Sequence, residues 1–306
     1  MTTKSWLVDI DLVTDPLPGY KKFISDFSLA MDQVGLTRVT TAGDLNISGI
    51  ASMPSGYNFT AGHEIRYLND SLHASAPIYL KLQYGIGGTT SAPLLRVTAG
   101  TGYDASGNLT GIFLPMSNFY LGNINANNFT NLKCYSCQIE GCSWLVFGEG
   151  FAQNKVPSSN ATQGFTICVF RTTGATGQPT DDGAAVYFVK SAVDGFNANT
   201  RSFKASWISS NETGVSNAVG NNGSYAPRVL GAYESVTADL KKQVIPHILP
   251  FPEFQVMTQI CSLLPGDNVA SGTQFTAAIK GVAERNYIAV HGARNRSGEV
   301  IALLWE

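Results

Sequence analysis

The sequence predicts a mainly β protein: one or two antiparallel β-sandwich or jelly-roll-like units with a short N-terminal helix. Three observations carry that expectation. Charged residues fill only 14% of the 306 positions and hydrophobic ones 44%, so the polar surface falls to Ser, Thr, Asn and 31 glycines. Such a surface suits strands and turns, because exposed helix faces are usually built from Glu, Lys and Arg. Short β-prone runs recur along most of the chain, each bounded by Gly, Pro, Asn or Ser. Clear helical periodicity is confined to one early stretch, where Phe23, Phe27, Ala30, Met31 and Val34 recur at three- and four-residue spacing.

That helix follows Pro16-Leu17-Pro18-Gly19, read as a breaker, and Gly35 stands where a C′ glycine would end it. Four strands are expected next, at 36–41, 64–69, 77–84 and 94–99. In the third, Ile78, Leu80 and Leu82 alternate with Tyr79, Lys81 and Gln83, the pattern of a half-buried strand that Gly85-Ile86-Gly87-Gly88 would close. The polar stretch from Asn123 to Asn128 sets a soft boundary. The expected division is therefore 1–117, a helix plus β-sandwich, and 118–306, a second β-rich region. Further strands are expected at 143–148, 164–171, 184–190 and 203–208, with turn-rich tracts such as 158–160 and 220–224 between them. Residues 234–245 are weakly helical or extended and are cut off by Pro246. The end reads as a hairpin, 287–290 joined through 292–298 to 300–305. No repeat of fixed period is present, which argues against a solenoid or propeller.

Composition also bounds function. A net charge of −2 and a pI near 6.1 argue against a nucleic-acid partner, which requires clustered Lys and Arg. No run approaches the roughly 18 apolar residues of a membrane span, so no membrane insertion is expected. Met1 to Trp6 lack the apolar core of a secretory signal, which predicts folding in a cytoplasm.

The motifs yield little chemistry. Cys134-x2-Cys137-x4-Cys142 is a weak zinc candidate. A structural zinc needs four ligands, and the fourth would have to come from Cys168, Cys261 or a histidine. The competing reading is small buried residues on a strand-turn-strand, and neither metal nor cofactor is expected. His63-Glu64 resembles the start of a zinc-protease helix, but Tyr67 stands where the second histidine should be and the segment is strand-like. Asp70 and His73 lack an accompanying nucleophile. Gly100-x-Gly102-x-x-Ala105 is followed by Ser106-Gly107-Asn108, a turn, so no helix N-terminus is offered to a pyrophosphate. Asp181-Asp182-Gly183 is expected to be a tight turn. No catalytic residue is identified, and the chain is not expected to be an enzyme.

One block says more. Gly62-His63-Glu64-Ile65-Arg66-Tyr67-Leu68-Asn69-Asp70, then Ala76 to Gly85, then Pro93 to Thr98 with Gly100-Thr101-Gly102, resembles a family of tailed-bacteriophage and prophage virion proteins. That family carries a Gly-Tyr-Glu-x-Trp-Arg-Phe-Asn-Asp strand, an Ala-Pro-Val-Phe-Leu-Lys strand and a glycine-rich turn. Here His63 stands for the Tyr, and Arg66-Tyr67-Leu68 for Trp-Arg-Phe. A second echo runs from Phe165 to Arg171 and on to Asp182-Gly183. The resemblance implies a structural component of a tailed-phage virion (tail, neck or head-tail junction), made in the host cytoplasm and assembled as a homo-oligomer that docks other virion proteins. A head decoration protein is a variant of this expectation. The alternative is a receptor- or glycan-binding module at the tail tip that meets a host surface, with Tyr120 or Tyr225 stacking on sugars. Interface candidates are Trp6, Phe23, Phe27, Leu303, Leu304 and Trp305, for each of which ordinary core packing is the competing reading.

Overall fold

A computed structural model describes residues 2–87, 92–120, 128–151, 162–173, 178–190, 203–209, 213–217, 233–237, 240–250, 255–263, 272–277, 284–291 and 300–306. The described chain is mainly β with one helix. Strand β1 (Thr2–Asp11) precedes α1 (Pro16–Gln33). Then come β2 (Leu36–Val39), β3 (Glu64–Leu68), β4 (Tyr79–Gly87), β5 (Ala92–Gly100), β6 (Gly102–Tyr103), β7 (Leu109–Thr110) and β8 (Leu114–Tyr120). The long strands β9 (Asn128–Ile139), β10 (Cys142–Phe151), β11 (Thr162–Thr173) and β12 (Pro179–Lys190) lead to β13 (Phe203–Ser209) and β14 (Thr213–Asn217). Last are β15 (Tyr233–Thr237), β16 (Leu240–Pro250), β17 (Gln255–Leu263), β18 (Gln274–Ala277), β19 (Arg285–His291) and β20 (Val300–Leu304).

These strands form a five-stranded sheet (β2-β3-β4-β5-β8), a seven-stranded sheet (β1-β9-β10-β11-β12-β13-β14), a six-stranded sheet (β15-β16-β17-β20-β19-β18) and the small β6-β7 hairpin. Every pairing between these strands is antiparallel. Helix α1 lies between the first two sheets. The rings of Phe23 and Phe27 meet Tyr84 of β4 on one side and Phe147 of β10 on the other, with centroids 5.2–6.1 Å apart. Around them Leu80, Leu82, Leu145, Ile167 and Val169 form one continuous buried core. The opposite face of the seven-stranded sheet meets the last residue of β20 in the six-stranded one: the Trp144 indole N–H donates to the Leu304 carbonyl at 2.7 Å.

Several expectations change here. Pro16 is the first residue of α1 and not a breaker before it, since proline lacks the N–H that a first helical turn leaves unpaired. Gly35, at φ +69°, does sit just past the helix end. The 117/118 division is crossed by β1, which pairs with β9 from Thr2↔Gln138 to Asp11↔Asn128. The first strand therefore belongs to the sheet of the second region. Strand β4 continues through Gly85, where a side chain would lie 2.4 Å from the Asn58 carbonyl oxygen. That glycine serves a close backbone approach and does not end the strand. Asp181 to Gly183 lie inside β12, with Gly183 paired to Ser209, so no turn forms there. Residues 234–245 form parts of two strands, and β16 passes Pro246 because the register shifts between Pro246 and Ile248. A bulge of this kind is one of the few places a sheet accepts proline. The C-terminal hairpin pairs as expected, Ile288 facing Leu303. The tracts at 123–127, 158–160, 220–224 and 292–298, and Tyr225, lie outside the described residues.

Candidate functional site

The block from Gly62 to Asp70 builds the most polar part of the interior. Alternation along β3 sends Glu64, Arg66 and Leu68 to the buried face, against α1. Two charges buried side by side are costly unless every lone pair and proton finds a partner. Here they do. The Glu64 carboxylate accepts from Ser28 Oγ (2.9 Å), Arg38 Nη1 (3.1 Å), Arg66 Nε (3.0 Å) and the Tyr84 hydroxyl (3.2 Å). Arg66 also donates to Asp32 Oδ1 (2.6 Å), the Leu36 carbonyl (2.7 Å) and the Ser28 carbonyl (3.0 Å). Burial, reinforced by Glu64, pushes the Tyr84 hydroxyl well above the ordinary tyrosine range, so it remains a donor. Glu64 thus ties strand to helix and is no metalloprotease base.

Asp70 and His73 also acquire a role. Arg171 of β11 grips Asp70 with Nε and Nη2, the latter at 2.8 Å, and donates Nη1 to the Ala76 carbonyl at 2.9 Å. Both side chains are 2% exposed or less. Beside this pair, Glu140 in the β9-β10 turn accepts from the backbone N–H and hydroxyl of Ser71, which hold its carboxyl below the usual range. The His73 ring lies 4.1 Å from Tyr67, and burial lowers its pKa. The loop after β3 is thereby fastened to the seven-stranded sheet.

The four described cysteines do not form a metal knuckle. Cys134 and Cys137 stand three apart on one strand and so project to opposite faces of the sheet. Cys134 joins the core around α1, where its sulfur accepts from the Gly148 N–H at 3.3 Å. Cys137, on the far side, has its thiol pKa raised by burial to about 11 and donates to the Glu306 carbonyl. The Cys142 and Cys168 sulfurs lie 4.0 Å apart, and all four thiols are buried. Among the described residues no group of three or more His, Cys, Asp or Glu side chains is placed to hold a metal ion.

Of the interface candidates, Phe23, Phe27, Leu303 and Leu304 are at most 1% exposed and belong to the chain's own core, which corrects the interface reading for these four. Trp6 is half-buried against the core around α1. Trp305, also half-buried, packs on Tyr135 and Trp144. Among the described residues, the large apolar side chains that do face outward include Leu7, Val13, Leu29, Ile112 and Met116, each 53–60% exposed. Alternation carries the signal at β1, where Leu7 lies between Trp6 and Val8 and points to the other face. Among the described residues, no helix is long and apolar enough to cross a membrane. No family model matches the chain, and no curated protein does either.

Proposed function

We propose that this chain is a structural component of a tailed-bacteriophage virion, in the tail, neck or head-tail junction, acting by homo-oligomeric assembly and docking to other virion proteins. One observation carries the reading. Asp70, which closes the first strand of the block resembling the virion family, and Arg171, in the second echo, form one buried, bidentate ion pair. The two stretches that carry the resemblance therefore meet in the fold of this chain. The exposed apolar residues Leu7, Val13, Leu29, Ile112 and Met116 supply the docking area in place of the buried aromatics.

Quantitative mass spectrometry of purified particles tests this. The expected result is a few copies per particle, in a multiple of three, six or twelve set by the portal axis. Hundreds of copies would move the chain to the head surface as a decoration protein. Absence from intact particles would overturn the reading.

A further inference from the structure

We infer that the outer edge of β1 is an interface between two copies of this chain, paired antiparallel about a two-fold axis at Leu7. The inference rests on the homo-oligomeric part of the reading above and gives it a surface. Strand β1 ends the seven-stranded sheet. β9 takes one side of it, and among the described residues no strand pairs with the other side and no turn or loop bonds to its backbone. An open strand edge is a template for another strand, and proteins commonly blunt it with proline, bulges or several lysines. β1 is ten residues long, with no proline and a single lysine, Lys4. The irregularity near its end lies on β9: Thr130 and Asn131 together stand opposite Asp9, which accepts the Asn131 N–H at 2.7 Å. β1 itself stays extended.

The neighbouring hairpin fixes which groups are open. Glu140-Gly141 joins β9 to β10 as a two-residue turn, so Ile139↔Cys142 is a hydrogen-bonded pair. Bonding sides alternate along a strand, which turns Gln138, Ser136, Cys134 and Leu132 toward their partners Thr2, Lys4, Trp6 and Val8. The N–H and C=O groups of Thr3, Ser5 and Leu7 then point outward. Ser5 and Leu7 also carry exposed side chains, Leu7 at 58%.

Side chains select the occupant and the register. Residues directly opposite in an antiparallel pair share a face, so a two-fold axis perpendicular to the sheet joins β1 to its own copy with both core faces on one side. Centring that axis on Leu7 sets this exposed apolar side chain against itself, Ser5 against Asp9, and Trp6 against Val8. The Ser5 hydroxyl then donates to a carboxylate, the half-buried Trp6 gains cover, and no like charges face each other. An axis at Trp6 or Val8 would oppose Leu7 to Ser5 or Asp9 instead. The pairing stops at Asp9, because Gly19 of α1 approaches the Asp11 backbone. Head-to-tail growth, with β14 of one copy on β1 of the next, would need a parallel pair, since six antiparallel steps separate β1 from β14.

Analytical ultracentrifugation of the full chain across a concentration series tests this, together with Leu7→Lys and Leu7→Cys. The parent is expected to form a dimer that dissociates on dilution. Leu7→Lys sets two cations against each other at the axis. It should raise the dissociation constant at least tenfold and keep the parent's circular dichroism spectrum. A hydrogen-bonded pair holds its Cα atoms about 5.5 Å apart, within disulfide range. Leu7→Cys treated with oxidised glutathione should therefore give a disulfide-linked dimer, whereas Met116→Cys, similarly exposed on β8, should not. A monomer at every concentration, or crosslinking through Leu7→Cys no greater than through Met116→Cys, would overturn the interface. An oligomer undiminished by Leu7→Lys would overturn the β1 edge and leave homo-oligomeric assembly standing. The measurements use the isolated chain, so their outcome is separate from whether it is found in virions.

Discussion

Arg171 and Asp70 are 101 positions apart in the chain, yet each is the other's charge partner in a nearly dry site. Removing one member leaves the other buried and uncompensated, which typically costs about 3–5 kcal/mol. Arg171→Met should therefore lower stability by about that amount in urea unfolding, while Arg171→Met with Asp70→Leu should recover much of the loss. Equal destabilisation by the single and double variants would show that the lost donation to the Ala76 carbonyl matters more than the charge. His63 behaves differently. Burial, with Lys81 nearby and Asp44 opposing, lowers its pKa below the ordinary 6.5. Below pH 6.5 the unfolded chain takes up a proton that the folded ring resists, so stability is lost as pH falls through that window. His73 acts in the same direction. The unfolding temperature should drop between pH 7.5 and 5.5, and His63→Gln should flatten that slope. A slope unchanged by the substitution would place the proton uptake elsewhere. Neither role was legible in the sequence. Asp70 and His73 stood near each other, but Arg171, the partner of Asp70, lies on a strand of another sheet.

Helix α1 meets β1 through Gly19, where an added Cβ would lie 1.7 Å from the Asp11 carbonyl oxygen. Intrinsic helix propensity favours Ala over Gly by about 1 kcal/mol. Here the clash with backbone should win, because neither the strand nor the helix can shift without disturbing the Phe23 and Phe27 packing. Gly19→Ala is expected to destabilise by about 1–3 kcal/mol, the usual cost of overpacking. A stabilised variant in thermal unfolding would show that α1 slides freely on β1. The helix itself could be read from the sequence, since its apolar residues keep a strict spacing and Gly35 marks its end. The strands β2 to β5 and the final hairpin were equally legible as short β-prone runs between turn residues, with clear alternation in β4. Strand β1 was not, because only Val8 and Ile10 among its ten residues are buried and its partner β9 begins at Asn128. Nor was the shape of the loop between β2 and β3 legible. It depends on turns such as the one Asn46 makes with Ser48 and Gly49, which composition does not specify.

At the scale of the whole molecule, the interior and any docking face draw on the same residue types. Sequence therefore named Phe23 and Leu303 as interface residues when the fold needed them inside. What remains outside is informative. The chain has 20 Lys and Arg against 22 Asp and Glu, a small stock for its size. Arg38, Arg66, Arg171 and Arg285 already hold carboxylates of their own chain. Charged residues of either sign are sparse along the chain, at 14%, whereas Leu7 and Leu29 are 58% and 57% exposed. Docking in a particle should accordingly rest on apolar burial, roughly 25 cal/mol per Å² before association costs are subtracted. Exposed ion pairs would add at most about 1 kcal/mol each. Near-molar salt, with a Debye length of about 3 Å, should leave the chain bound to particles. Leu7→Lys with Leu29→Lys should weaken incorporation, while each changes the free chain's stability by no more than about 0.5 kcal/mol, as is usual for exposed sites. Release at moderate salt, with full incorporation of the lysine variant, would show that a few charges govern docking and that Leu7 and Leu29 take no part in it.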